Sequence, residues 1–443
     1  MSRRPRKKRL PEPVEHIEIE SLSHDGRGVA HLDGKAVFID GALPGEDVGF
    51  EYRASRRKFD EGRVTQIHRA SPQRVTPKCP HFGVCGGCSL QHLDPAAQVE
   101  AKQLTLLDNL ERIGGVRPQS VLPPLTGPVW GYRGKARLGA KYVIKKGRVL
   151  VGFRERYAPY IADLGRCEVL HPAVGENIPA LCELVGSLDA RARIPQIEVA
   201  VSDSVTALVF RHLDPLSEAD AARLSDYGTG QGVHIWLQSG GPATVQPFVP
   251  QDSSLSYRLP GHGIEIRFLP NDFTQVNASI NTKMVSRVLE LLELTQADQV
   301  LDLFCGLGNF TLPMARQAGA VTGVEGEAGL VERARENAVH NGLGNVTFRT
   351  ADLAEDCRAH AWAGGGYNKV LLDPPRSGAA AVMDVLGNIG PGRIVYVSCH
   401  PGSLARDAGT LVNNMGYGLV SAGVMDMFPH TAHVESIALF ERG

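Results

Sequence analysis

The sequence predicts a chain of several domains whose C-terminal part is a Rossmann-like α/β fold. Two observations carry this. From residue 280 onward, strand-like segments at 299–304, 321–325, 346–349, 369–372 and 393–398 are separated by glycine or proline turns and helical patterns, the mark of a parallel sheet covered by helices. Ahead of it, short alternating segments with glycine corners over residues 14–70 suggest a small barrel of the OB type. A length of 443 residues suits two to four domains. The expected division is a basic disordered tail over 1–12, the barrel over 13–71, a central β-rich domain over 72–95 and 129–270, and the α/β domain over 96–128 and 271–443.

Hydrophobic residues make up 43% and charged residues 21% of the chain, ordinary for a soluble globular protein. No run approaches the ~18 apolar residues of a membrane span, and no apolar stretch follows the basic start as in a secretory signal. A cytoplasmic protein with no membrane association and no obligate protein partner is expected. Net charge is −1, which excludes a polycation but hides an uneven distribution. Six of the seven residues 3–9 are Arg or Lys, and Arg53, Arg56, Arg57 and Lys58 form a second cluster. Such clusters either sit in water or neutralise nucleic-acid phosphates.

Taken in order, residues 16–20 alternate with period two and Asp33-Gly34 signals a hairpin. Residues 96–113 read as a helix, with Val99, Leu104, Leu107 and Leu110 near one face and Gly114-Gly115 ending it. Residues 142–144 and 149–153, around Lys145-Lys146-Gly147, predict a second hairpin. A final strand near 436–441 is expected at the edge of the C-terminal sheet.

Residues 302–310 (Asp-Leu-Phe-Cys-Gly-Leu-Gly-Asn-Phe) follow the first strand of the α/β part and open a helix. Gly306 and Gly308 let the backbone turn sharply and approach a ligand. The next strand ends in Glu325, 19 residues after Gly306, where a carboxylate can accept hydrogen bonds from ribose hydroxyls. The loop departs from the G-x-G-x-x-G dehydrogenase pattern, so the constellation points to an adenosine-containing cofactor other than NAD. After the fourth strand comes Asp373-Pro374-Pro375-Arg376. Paired prolines at a strand's carboxyl end hold an extended turn where α/β ligands bind.

The fifth strand runs into Cys399-His400-Pro401. Cys399 therefore leaves the sheet at the same edge as Gly306 and Asp373, whereas Cys182, Cys305 and Cys357 read as small packed residues. A helical pattern follows, and Arg406 is a candidate cation; both would favour the thiolate. A thiolate at this edge suits methylation of uracil C5. The ring carbon is a poor nucleophile until a thiolate adds at C6 and makes C5 enolate-like. A base must then take the C5 proton, and Glu435 is the candidate.

Cys79, Cys85 and Cys88 supply three thiols within ten residues, with Cys167 a distant fourth. Four thiolates suit tetrahedral zinc or an iron–sulfur cluster, and spacing does not choose between them. On residues alone, three functions stay open: a uracil-C5 RNA methyltransferase, a methyltransferase acting on an exocyclic amine or a protein, and a non-catalytic, metal-stabilised RNA-binding protein.

Over nearly its whole length the chain resembles the bacterial RNA uracil-C5 methyltransferases. The resemblance rests on residues 272–277, 302–310, 373–376, 397–399 and 426–435, on the cysteine cluster, and on the N-terminal barrel, which is similar to a TRAM domain. It implies a class I methyltransferase fold using S-adenosyl-L-methionine, and a central domain carrying a [4Fe–4S] cluster on Cys79, Cys85, Cys88 and Cys167. It also implies cofactor contacts by Gln275, Phe304, Asn309, Glu325, Asp352 and Asp373, with Cys399 as nucleophile, Glu435 as base and Phe273 near a flipped base. Transfer-RNA relatives lack the barrel and the cluster, so 23S rRNA is the implied partner, with another rRNA or tRNA site as the alternative. His400 and Ser403 stand where the family has Asn and Thr, a departure that touches positioning and no reacting group.

Overall fold

The computed structural model describes residues 10–442, so the basic run at 3–9 lies outside the described residues. The chain divides into two units. The first runs to Lys102 and takes in Pro429–His433; the second holds Gln103–Phe428 and the C-terminal residues from Val434.

The first unit contains strands β1 (Val14–Glu18), β2 (Ser21–Leu22), β3 (Gly28–Leu32), β4 (Lys35–Asp40), β5 (Asp47–Ser55) and β6 (Phe59–Arg69). They form one sheet in the order β1-β5-β6-β4-β3-β2. Asp33 and Gly34 both have positive φ (51° and 76°), which makes the tight β3–β4 turn the dipeptide signals. Alternate strand residues Ala30, Val37, Ile39, Val48 and Phe50, with Ile19 from the β1–β2 turn, close a small apolar core. Arg56, Arg57 and Lys58 sit exposed at the β5–β6 turn.

The helix at Pro95–Arg112 buries Leu106 and Leu110, while Leu104 is 61% exposed. Of the expected stripe, Val99 and Leu110 are buried, Leu107 is half-buried and Leu104 faces out, while Lys102 is buried beside them. In the second unit β7 (Ser120–Val121) is followed by β8 (Lys135–Val143), β9 (Arg148–Gly152), β10 (Gln196–Val201), β11 (Thr206–Arg211), β12 (His234–Gln238) and β13 (Val245–Val249). The last six pair as β13-β12-β11-β10-β8-β9. The β8–β9 hairpin turns at Gly147, whose φ is 64°. Strands β14 (Leu255–Leu259) and β15 (Ile264–Phe268) form a separate ribbon.

The sheet that organises the site comprises β16 (Gln299–Leu303), β17 (Ala320–Glu325), β18 (Val346–Thr350), β19 (Lys369–Leu372), β20 (Arg393–Ser398), β21 (Tyr417–Met425) and β22 (Glu435–Arg442), with β7 at one edge. Its order is β18-β17-β16-β19-β20-β22-β21-β7. Strands β16 to β20 are mutually parallel, and β22 is antiparallel to both β20 and β21. The expectation that the last strand pairs at the edge is corrected: β22 is interior. Its residues Glu435 to Phe440 are all buried, which fits a strand paired on both sides. From β16 the chain winds one way to β17 and β18, then returns to β19 on the other side, so the crevice at the carboxyl ends of β16 and β19 is a topological switch point. No helix among the described residues is long and apolar enough to cross a membrane.

Candidate active site

The switch point carries an open cavity of about 490 Å³ in the second unit. Its wall includes Gln275, Phe304, Asn309, Glu325, Asp373, Cys399 and Glu435, together with Phe273, Tyr257 and Arg376. Asp352 is not part of the wall; it is exposed after β18 and accepts a hydrogen bond from Ala354 N.

The adenosine side is built locally. Phe304 N and Cys305 N donate to Val324 O at 2.9 and 3.1 Å, tying the loop after β16 to β17. Phe304 holds φ +67° and Gly308 φ +90°. A non-glycine residue in that region stores strain, which persists where neighbours over-determine the turn. A Cβ on Gly308 would lie 3.0 Å from Leu312 Cγ, so the position needs glycine on both counts. Glu325 closes the turn: its carboxylate accepts from Gly306 N (3.1 Å), Gly326 N (2.7 Å) and Glu327 N (3.1 Å). Asn309 is locked by Tyr257, whose hydroxyl donates to Oδ1 at 2.9 Å, and by reciprocal amide bonds with Asn281 at 2.9 and 3.0 Å. Tyr257 and Asn281 carry no motif signal, since a Tyr in an alternating strand and an Asn in a helix look ordinary until the fold brings them to Asn309.

Beneath this loop is a concentration of carboxyl groups. Asp302 is 0% exposed; Thr311 Oγ1 donates to its Oδ2, and Oδ1 has no hydrogen-bond partner. Burial, reinforced by Asp373 and Glu325, raises its pKa to about 8. Burial and Glu325 raise Asp373 to about 7. A buried acidic cluster of this kind fits a cationic ligand bearing hydroxyls, because a bound positive charge favours the ionised carboxylates. S-adenosylmethionine has that chemistry.

The other side is assembled from distant segments. The stretch containing Phe273 and Gln275 is staked at both ends. Lys135 Nζ donates to Pro270 O and, at 2.6 Å, to Asp272 O, and Gly134 N donates to Val276 O at 2.8 Å. Asp272 accepts from Leu269 N at 2.7 Å and pairs with Arg333. Burial brings Lys135 down to about 8. Phe273, held between these anchors, is 71% exposed.

Sheet register sets the nucleophile against the base. Ser398 on β20 faces Ser436 on antiparallel β22, so continuing the ladder by one residue places Cys399 opposite Glu435. The turn at Cys399 is braced by Ser398 Oγ, which accepts from His400 N and donates to His400 O, both at 3.1 Å. His400 Nδ1 accepts from Ser403 N at 3.1 Å and caps the helix Pro401–Gly409. The family Asn is thus replaced by a side chain that also supplies a cap acceptor.

The expected activation of Cys399 by Arg406 is corrected. Arg406 is committed to Asp407 Oδ1 (2.7 Å) and Ser377 O (2.9 Å). The cation acting on the thiol is Arg376, and it is outweighed: burial, then Glu435 and Asp373, raise Cys399 to about 11. In the protein alone Cys399 is a thiol. Cys305, 4% exposed in the same wall, is pushed well up by burial and by Asp302 and Glu325. His430 lies in the first unit, where its N–H donates to Gln98 Oε1 at 2.7 Å and its carbonyl accepts from Ser89 N and Leu90 N. His433 is exposed.

The iron–sulfur part of the expected fold is also corrected. Cys79, Cys85 and Cys88 belong to the first unit and Cys167 to the second. Among the described residues, no group of three or more His, Cys, Asp or Glu side chains is placed to hold a metal ion. Spacing along the chain brings thiols near one another in sequence, but a metal needs four of them converging within bonding distance of one point. No cluster and no zinc site is therefore assigned among the described residues.

Comparison with known proteins fits this geometry. The tRNA (uracil-5-)-methyltransferase family model matches residues 193–443, and the TRAM domain model matches residues 14–51. Two similar proteins, both named 23S rRNA (uracil(1939)-C(5))-methyltransferase RlmD, come from Nitrosococcus oceani and Methylococcus capsulatus. Each is 56% identical, the first over 100% of this chain and 99% of its own, the second over 99% of both. A solved structure, the Pyrococcus abyssi tRNA (uracil-54, C5)-methyltransferase in complex with S-adenosyl-L-homocysteine, is 25% identical. It covers 96% of this chain and 99% of its own with a TM-score of 0.74. The sheet order, the glycine loop and these matches agree: the chain belongs to the tRNA (uracil-5-)-methyltransferase family, with a TRAM domain near its N-terminus and a class I methyltransferase fold.

Proposed function

We propose that this protein methylates C5 of a specific uridine in 23S rRNA through a covalent adduct between Cys399 and uracil C6. The observation that carries this reading is the opposition of Cys399 and Glu435 across the end of β20 and β22, in the same cavity as Asp373 and Glu325. S-adenosylmethionine, when bound, supplies an electrophilic methyl carbon. Glu325, Asn309, Gln275, Phe304 and Asp373 are the residues that would hold it in that cavity, and Asp352 stands outside the wall.

Cys399 Sγ forms the bond to C6, and the C5–C6 π electrons move toward O4, leaving C5 nucleophilic. After C5 is methylated, Glu435 accepts the C5 proton. The electron pair then restores the C5–C6 double bond as the Cys399 bond breaks. Because Cys399 rests as a thiol, it gives its proton to solvent at the open cavity only in the ligand-bound state. Arg376 opposes the carboxylates there, and a bound sulfonium adds a second positive charge. The target base must be unstacked to reach this edge, and Phe273 is an exposed ring against which a splayed base can stack. The basic turn at Arg56, Arg57 and Lys58 offers phosphate contacts.

The choice of 23S rRNA is supported by the relatives at 54–56% identity. The family model's name and the archaeal tRNA enzyme favour tRNA as a second reading, on weaker identity. Glu435→Gln keeps the shape of the side chain and removes the base. Incubated with labelled cofactor, it is expected to accumulate a denaturant-resistant adduct with 23S rRNA and none with tRNA. An adduct on tRNA alone selects the second reading. Unimpaired turnover with no adduct removes Glu435 from the mechanism.

A further inference from the structure

The loop that follows β19 and the helix that follows Cys399 are clamped together by one buried carboxylate. Asp407, 1% exposed, is on the helix Pro401–Gly409. Its Oδ2 accepts from Ala379 N at 2.8 Å and from the Tyr396 hydroxyl at 2.7 Å; Ala379 N also reaches the Tyr396 oxygen at 3.1 Å. Its Oδ1 holds Arg406, whose Nη2 donates to Ser377 O at 2.9 Å. The loop is shaped to fit. Gly378 N donates to Pro375 O at 2.8 Å, and Gly378 has φ +82°. A Cβ there would come within 2.5 Å of Arg406 Nη2 and 2.6 Å of Asp407 Oδ2. Tyr396 is on β20 three residues before Cys399, and is itself 0% exposed. The clamp therefore joins residues 377–379, just after Asp373 and Arg376, to the strand and helix flanking Cys399.

Methyl transfer requires two parts in register: C5, carried on Cys399, and the methyl carbon, carried on the Asp373 side. Addition of the thiolate to C6 needs only the first. We propose that Asp407 is a positioning residue that fixes the loop after Asp373 against the Cys399 helix and so aligns the adduct with the methyl donor. The proposal rests on the uracil-C5 reading above.

Two rates separate its failure from the failure of that reading. Without cofactor, reversible addition of Cys399 to C6, protonation of C5 from solvent and removal of the original C5 hydrogen by Glu435 exchange that hydrogen with water. With cofactor, the same RNA is methylated. In Asp407→Asn, exchange is expected within about threefold of wild type, while kcat for methylation falls about 10- to 100-fold. Tyr396→Phe, which keeps the ring and loses one partner of Oδ2, is expected to show the same split with a smaller drop, and the double variant less than the product of the two. Methylation unchanged in both variants, or exchange and methylation falling together, overturns the clamp and leaves the uracil chemistry standing. Absence of C5 exchange in the wild-type protein with 23S rRNA overturns the underlying reading instead.

Discussion

On the adenosine side of the cavity, three groups come from one stretch of chain, residues 304–325, and are fixed largely by backbone: Phe304 and Cys305 on Val324 O, Glu325 on three N–H groups. On the opposite side, Phe273, Arg376, Cys399 and Glu435 arrive from four stretches spanning more than 160 residues, and strand register and buried side-chain clamps bring them together. The first arrangement is preformed and acidic. The second holds a nucleophile that is not yet ionised. The difference suggests a division of labour: one side binds whatever the state of the other, and the other becomes reactive only when both ligands are present.

Removing the nucleophile is the largest expected break. Cys399→Ala should lower methylation by at least about 10⁴-fold while cofactor affinity, measured by calorimetry, stays within a small factor of wild type. Substantial turnover in that variant would end the covalent mechanism, and a parallel loss of cofactor binding would show that the two sides are not separable.

A smaller effect tests the acidic side through pH. Asp373, raised to about 7, is protonated below that value and ionised above it, and a cationic cofactor favours the ionised form. Affinity should therefore tighten as pH rises from 6 to 8, by about tenfold at most for one group. Asp302, buried beneath the loop, interacts with Asp373 and is itself raised to about 8, so the Asp373→Asn profile should flatten without becoming level. A wild-type affinity independent of pH refutes the linkage.

The smallest expected effect is on stability. Asp302 is protonated up to about pH 8 in the folded protein but ionises near 3.8 when unfolded. Between those values the unfolded state binds fewer protons, so stability falls as pH rises, and the cost is fully present above pH 8. Asp302→Asn removes the ionisation and can still accept from Thr311. It should raise the Tm of the protein alone by roughly 2–4 °C at pH 8, with little change at pH 4. A lower Tm at pH 8 would mean that the ionised form has a partner in the fold.

The same division decides what could be read in advance. The strand–loop–helix–strand run from β16 to β17 was legible because glycines at a strand end and an acidic residue at the next one are local facts with local causes. The β19 and β20 bounds, Lys369–Leu372 and Arg393–Ser398, were legible for the same reason. Long-range pairing was not. The interior place of β22 depends on β21 folding back beside it, and that cannot be seen in its own four apolar residues. Arg406 looked like a free cation beside the thiol because sequence shows charge without showing which carboxylate claims it. A metal site needs convergence in space that cysteine spacing does not show, and no such group is found among the described residues.

The sequence by itself determined the parallel sheet, the adenosine loop and the candidacy of Cys399 at a strand's carboxyl end, since each follows from short-range pattern. Only the tertiary structure decided that Cys399 stands opposite Glu435, that Arg376 and not Arg406 acts on the thiol, and that Asp407 ties the two loops together. Those outcomes depend on hydrogen bonds and register between segments tens of residues apart, and no local pattern fixes them.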